Sequence, residues 1–465
     1  MTDEPNHVDV AGSIPPGEYP CIWSVDGRDV SGSIDLRGNG APVGTARVVL
    51  DPNVTRLPYE RTYAVLRGFI EDQNAYVALT EVAAVTWFGG QALLHAAAAI
   101  VGRGQPLPDD LRFDQMTAQV TNLDYFSGVA PLSNQEIPTS EGSHRRWGAT
   151  ATELSREWLG TRGSATFCYS YKSTIDPFLL SVRFAPWLVI KSSEPLDVRV
   201  WHEQWCYPLV QLIAASTGKP EKLTHMRVGR LDGTEYTVYA KPITQQPYNA
   251  VKQSRLLLAF TADDRQFSLA SALEKWGDLH DDGHPLMLGY NAFALAPDQN
   301  PRGRLLLLLQ LLEASYGFEN RDQVEIDQIA HGEDRAALIE KLRAMRDEQI
   351  LTSREFLLAK SMPKVVYPTL ERALRHYLNE HSNLSTEIHL AEIPAVAALI
   401  SANGASSTID ALRVIRNGLS HGTVNYSDDD LRELTKYLHP VARAEFLRLL
   451  GATFEPKSLD WWQWA

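Results

Sequence analysis

Cysteine is nearly absent from this 465-residue chain: Cys21, Cys168 and Cys206 are the three, far apart and odd in number. That excludes a disulfide framework and a thiolate zinc site, and it points to a reducing compartment. Long apolar runs are missing too. The most apolar, residues 92–101 (broken by His95) and 305–312, fall short of the roughly 18 to 20 residues that cross a bilayer. The opening MTDEPNHVDV is acidic and polar where a signal peptide needs a basic and then an apolar segment. These absences predict a cytoplasmic protein without membrane contact. Basic charge is not in excess: Lys and Arg number 44 against 57 Asp and Glu, a formal charge of −13. Any nucleic-acid contact must then rest on a local patch. There is no GxxxxGK[ST] loop, no GxGxxG after a strand and no GxSxG turn, which argues against P-loop nucleotide hydrolysis and against a nucleophile elbow.

What is present divides in two. At 44% apolar residues and this length, two or three domains with sizeable cores are expected. Up to about Phe260, period-two segments recur between turn signals. Val30, Gly32, Ile34 and Leu36 alternate with polar residues behind Asp26-Gly27, a strong two-residue hairpin signal. Leu111, Phe113, Met116, Ala118 and Val120 repeat the pattern, and Met226 and Val228 face Tyr236 and Val238 across Asp232-Gly233. Residues 198–217 carry Trp201, Trp205, Leu209 and Leu212 at helical spacing, with Pro208 a local irregularity. Residues 133–147, polar and without a period, read as a long surface loop between two subdomains.

After about Trp276 a polar loop around HDDGH (280–284) and another over 296–304 lead into helical spacing: residues 305–318, 333–350, 354–361, 365–381, 393–402, 409–420 and 431–450. The Trp461-Trp462-Gln463-Trp464 tail is expected to dock on a core. The fold class is α+β: an antiparallel β-rich domain over residues 1–280, with a subdivision near 133–150, followed by an all-α bundle over 285–465.

Metal chemistry has thin support. His376 and His381 are five apart, not the four that turn two imidazoles to one helix face, and read as helix-surface residues. His280 and His284 beside Asp281 and Asp282 could touch a metal, though a polar linker is the simpler account. No metal or cofactor is expected.

Residues 409–422, IDALRVIRNGLSHG, stand apart. Leu412, Ile415 and Leu419 repeat at three and four as on a packed helix, while Arg416, Asn417 and His421 crowd its end and Gly418 and Gly422 loosen the backbone. Asn417 and His421 share a face at i and i+4, and Arg416 reaches back by its long side chain. Imidazoles exchange protons near neutral pH, and Arg offers a planar permanent charge for phosphoryl oxygens as negative charge builds. The set suits phosphodiester cleavage without a metal. A helix C-terminus whose cations complement the dipole and whose Gly422 caps it explains the same residues.

Arg416-Asn417-Gly418-Leu419-Ser420-His421 resembles the Arg-x4-6-His signature of HEPN ribonucleases. Around it the chain resembles the ApeA-like HEPN proteins of bacterial antiphage (abortive-infection) defence: GEYPCIWSVDGRDVSGSIDL, LRGFIEDQNAYVALTEV and LRFDQMTAQVTNLDYF are similar to their N-terminal domain. The resemblance implies metal-independent RNA cleavage by a C-terminal HEPN bundle, with Arg416 binding the phosphate, His421 as acid or base and Asn417 positioning. Arg413 and Ser420 would contact RNA. Glu313 is similar to an acidic position on an early HEPN helix and would orient Arg416, a surface or capping role being the alternative. One proton donor and one acceptor are needed while the motif offers a single His, so a homodimer is expected, as HEPN relatives pair their motifs across a cleft. Arg372 and Arg375 would add positive charge there. The N-terminal domain would sense a phage-derived trigger. A catalytically silent HEPN scaffold for dimerisation or ligand binding is the alternative.

Overall fold

The structure is a computed structural model and describes residues 14–37, 40–47, 58–86, 90–131, 133–139, 142–148, 155–176, 179–246, 258–294, 299–361 and 369–453. The aromatic tail lies outside the described residues. The chain divides into two units: Met1–Gly277, which residues 450–453 rejoin, and Asp278–Leu449. The first is rich in strands and the second is helical, an α+β arrangement. Among the described residues no helix is long and apolar enough to cross a membrane.

The first unit begins with a hairpin of β1 (Glu18–Val25) and β2 (Arg28–Asp35), in which Val25 faces Arg28. Asp26 and Gly27 both have positive φ, 51° and 76°, the turn that matches the strand twist. There follow β3 (Val43–Arg47), β4 (Tyr59–Ile70), β5 (Ala75–Thr86) and β6 (Gln91–His95). Antiparallel pairing runs β1-β2-β3-β6-β5-β4 and back to β1, which closes a barrel. Period-two burial explains it: Tyr19, Cys21, Trp23 and Val25 of β1 point inward with Ile34, Leu79 and Leu94. Trp23 is fully buried and donates its indole N–H to the Thr45 carbonyl at 2.9 Å.

β5 also leads out of the barrel. Its residues Ala75 to Thr80 pair with β7 (Ala98–Arg103) and Ala83 to Thr86 pair with β6. Between them Glu81 takes φ 49°, a left-handed kink where the strand changes partner. From β7 the sheet continues through β15 (Glu235–Ala240), β14 (Leu223–Gly229), β8 (Arg112–Val120), β13 (Leu179–Asp197) and β12 (Gly163–Asp176) to β11 (Ser155–Leu159). Met226 faces Val238 and Val228 faces Tyr236, the register expected from the sequence.

Residues 133–147 are not a loop: β9 (Ser133–Thr139) and β10 (Gly142–Gly148) form a separate two-stranded sheet. A polar ribbon satisfies its backbone groups across the pair and needs no apolar face, so hydrophobic periodicity does not reveal it. A short α1 (Leu123–Ser127) follows β8. α2 (Val198–Trp201) runs through a π-helical turn (His202–Cys206) into α3 (Tyr207–Thr217). Pro208 has no N–H and crowds the preceding turn, and the irregularity falls just before it.

The unit boundary falls within α4 (Leu269–Asp281), which takes up His280 and Asp281 of the expected HDDGH loop. The second unit contains α5 (Pro285–Ala294), α6 (Pro301–Glu319), α7 (Arg321–Asp347), α8 (Ser353–Lys360), α9 (Leu370–Glu380), α10 (Thr386–Glu392), α11 (Pro394–Ser401), α12 (Thr408–His421) and α13 (Asp428–Leu449). α6 packs against α5, α9, α12 and α13 with Leu305, Leu308, Leu309 and Leu312 fully buried. α7 is 27 residues long, starts twelve residues before its clear apolar period, and buries none of its side chains.

Candidate active site

α12 is built as its sequence dictates. Ser407 caps its start, the side-chain oxygen accepting from the Asp410 N–H, and Ile409, Leu412, Ile415 and Leu419 are buried at helical spacing. At its end Gly422, at φ 68°, donates to the Leu419 carbonyl at 3.2 Å, while the Thr423 N–H reaches the Gly418 carbonyl at 3.1 Å. That pair of bonds is a Schellman closure, which needs the left-handed glycine.

Gly418 does not loosen the backbone. It lies inside the regular helix, buried, and a Cβ there would come 3.4 Å from both the Tyr426 hydroxyl and Val424. A small residue lets the following segment fold back onto α12. Burial pushes the Tyr426 phenol up.

On the polar side of α12, Arg416 is half-buried and its Nη2 lies 2.7 Å from Glu313 Oε2 of α6. Its Nη1 donates to Asn417 Oδ1 at 3.2 Å. Arg416 Nε is buried with no bonded acceptor among the described residues. Glu313 and Asn417 therefore grip the guanidinium from two directions and fix its plane. Ser420 and His421 are exposed in the next turn, and the His421 ring bonds to no described residue. Arg413 is exposed but committed: Nη2 pairs with Asp410 Oδ1 at 2.7 Å. The Ser406 N–H and the Arg413 guanidinium hold Asp410 below the usual carboxylate range, so this pair stays charged at neutral pH.

The structure thus brings Arg416, Asn417 and Glu313 into contact and sets His421 and Ser420 on the open end of the same helix. Arg372 and Arg375 of α9 are each matched by a carboxylate, Asp327 at 2.8 Å and Glu371 at 3.1 Å.

Sequence reasoning missed Arg302, at the start of α6 where Asn300 caps the helix. Its guanidinium donates to the Leu419 carbonyl, beside Gly422. The signal was the polar NPRGR segment, which reads only as a turn.

The histidines considered for metal binding are placed otherwise. His381 is not a helix-surface residue: its side chain is 11% exposed and Nε2 bonds to buried Glu445 at 3.1 Å. His376 packs on Tyr316 with ring centroids 5.4 Å apart. His284 is buried, its Nδ1 accepts from the Leu286 N–H at 3.3 Å, and its Nε2 faces Glu319, while His280 lies exposed beside Asp281. Among the described residues no three His, Cys, Asp or Glu side chains are grouped as metal ligands.

A guanidinium held in one plane can contact an anionic oxygen, and an exposed imidazole can move a proton. No curated protein and no solved structure matches the chain significantly. The family ApeA N-terminal domain 1 matches residues 28–276, more than half of the chain and nearly all of the strand-rich unit. The chain belongs to the ApeA family, through this N-terminal domain.

Proposed function

We propose that the protein is a metal-independent endoribonuclease of the HEPN type that acts in bacterial antiphage defence. Family membership supports the defence role. The catalytic reading rests on one observation: Arg416, fixed by Glu313 and Asn417, shares a helix end with an exposed His421 that bonds to no described residue.

In this reading the substrate 2′-hydroxyl attacks the adjacent phosphorus, and the bond to the leaving 5′-oxygen breaks. The products are a 2′,3′-cyclic phosphate, or its hydrolysed form, and a 5′-hydroxyl. Arg416 stabilises the charge that gathers on the phosphoryl oxygens. His421 takes the hydroxyl proton or protonates the leaving oxygen, and the second proton transfer falls to His421 of a second copy in a two-fold dimer. Asn417 holds the guanidinium, Ser420 contacts the RNA, and Arg413 adds a weaker, already paired charge. The strand-rich domain receives a phage-derived trigger.

Cells challenged with phage provide the test, with the parent, Arg416→Ala and His421→Ala expressed at equal levels. Fragmented cellular RNA in the parent and intact RNA in both variants supports the reading. Equal protection with intact RNA in all three identifies a silent scaffold. Cleavage by the activated protein should persist in EDTA, and its loss would instead implicate a metal.

A further inference from the structure

We propose that Arg302 is a phosphate-binding residue of this site, taking a non-bridging oxygen of the RNA backbone next to His421. The inference rests on the ribonuclease reading and deepens it.

The charges along α12 are largely cancelled. Arg416 faces Glu313 and Arg413 faces Asp410. On a chain of formal charge −13, a cleft that holds a polyanion needs cations without carboxylate partners. Arg302 is such a cation: no carboxylate among the described residues pairs with it, and the acceptor it has is the neutral Leu419 carbonyl. It is half-buried rather than enclosed.

Capping alone does not account for it. The Leu419 carbonyl already accepts from the Gly422 N–H, and Thr423 closes onto Gly418. The Leu419 and Gly418 carbonyls are satisfied without Arg302. A guanidinium carries five N–H donors, so one bond to Leu419 leaves others to offer. Arg302 Nη2 lies beside Gly422, the residue that follows His421: a Cβ at 422 would come 3.6 Å from it, an ordinary contact distance. The residue therefore stands where an RNA strand that runs past His421 would bring its next phosphate.

The experiment uses the full chain and a short single-stranded 2′-O-methyl RNA, which binds but lacks the attacking hydroxyl. Fluorescence anisotropy over a KCl series gives the dependence of log Kd on log salt for the parent, Arg302→Gln and Arg302→Lys. Loss of one single-strand phosphate contact should reduce the slope by about 0.7 in Arg302→Gln. Arg302→Lys, which keeps the charge, should retain the parent slope. An unchanged slope and Kd in Arg302→Gln, with only a lowered melting temperature, would show a structural cap and overturn the proposal. Should Arg302→Gln not fold, phenylglyoxal modification of the parent decides: bound RNA should protect Arg302, and equal modification with and without RNA refutes the contact. A parent that binds no RNA sinks the ribonuclease reading as well, whereas RNA binding that is indifferent to Arg302 sinks this proposal alone.

Discussion

Glu313 and Arg416 stand 103 residues apart in the chain and meet at 2.7 Å, one on α6 and the other on α12. Both side chains are less than a third exposed, 20% and 29%, so the bond is only partly screened by solvent. Bonds to charged groups in such positions contribute roughly 1.5–3 kcal/mol at most, and exposure brings this pair to the lower end. Its larger consequence in the proposed site is orientation, since a guanidinium free to rotate spends less time facing the phosphate. Glu313→Ala is expected to lower RNA cleavage at least ~10-fold, the effect of about 1.4 kcal/mol in a barrier. Glu313→Gln, which keeps an acceptor oxygen, should fall between. Kinetics and thermal melting on the same samples check this, and unchanged cleavage in Glu313→Ala would reduce the pair to surface structure.

The two ends of α12 separate stability from function. Ser407→Ala removes an N-cap and should cost about 1 kcal/mol in urea unfolding. Gly422→Ala forces a side chain into φ 68° and should cost about 1 kcal/mol as well. Ser407 caps the far end of the 14-residue helix that ends at His421, whereas Gly422 adjoins that histidine. Equal losses of stability should therefore come with unequal losses of cleavage, greater for Gly422→Ala. Equal activities in the two variants would mean that the closure of the helix end does not position His421.

Much of this was written in local pattern. Asp26-Gly27 marks a hairpin because both residues take the left-handed turn, Gly233 at φ 89° supplies the left-handed residue of the longer turn between β14 and β15, and Leu412, Ile415 and Leu419 mark a buried helix face. Barrel closure was not legible, because it depends on β6 pairing with both β3 and β5 and on a left-handed Glu81, a conformation that Glu does not advertise. The ribbon β9-β10 has a polar sequence without an apolar period, and α10 is seven residues long with Thr386 and Leu390 buried, too short to show one. Arg302 lay hidden because its partner is a backbone carbonyl 117 residues away, and no side-chain type announces a carbonyl.

The barrel makes its own prediction. A Cβ on Gly68 would come 2.6 Å from Trp23 Cε3, 2.8 Å from Cys21 Sγ and 2.9 Å from the Ile22 carbonyl oxygen. Trp23 is enclosed on all sides and cannot move away, so Gly68→Ala is overpacked and should destabilise by about 1–3 kcal/mol. Gly332, inside α7, has nothing within 4 Å of its Cβ position. Gly332→Ala should stabilise by up to about 1 kcal/mol through helix propensity. Opposite shifts in melting temperature are expected, and a neutral Gly68→Ala would show that the barrel yields around Trp23.

Acid should reveal a buried histidine. His439 of α13 is enclosed by Phe293 and Tyr290, whose hydroxyl lies 3.2 Å from His439 Nε2. Burial, and then the Arg443 and Arg304 guanidinium groups nearby, hold the imidazole well below the usual histidine range. Above the unfolded value near ~6.5 the ring is neutral in both states and pH has no effect through it. Below that value the unfolded chain binds a proton that the native one refuses, so stability falls by up to about 1.4 kcal/mol per pH unit. His202 in the first unit, also lowered by burial, adds a slope of the same sign there. Glu445 acts later. Burial raises its carboxyl, but the bonds from His381 and Arg448 outweigh it and hold the group below the usual range. Its contribution is complete above about pH 4.3 and is lost only as pH falls further. Urea unfolding followed in the helical unit from pH 7 to about pH 2 should therefore show a decline that begins at about 6.5 in the parent. His439→Gln should flatten that decline and leave the Glu445 limb in place; an identical profile in the variant would mean that His439 takes up its proton in the folded protein.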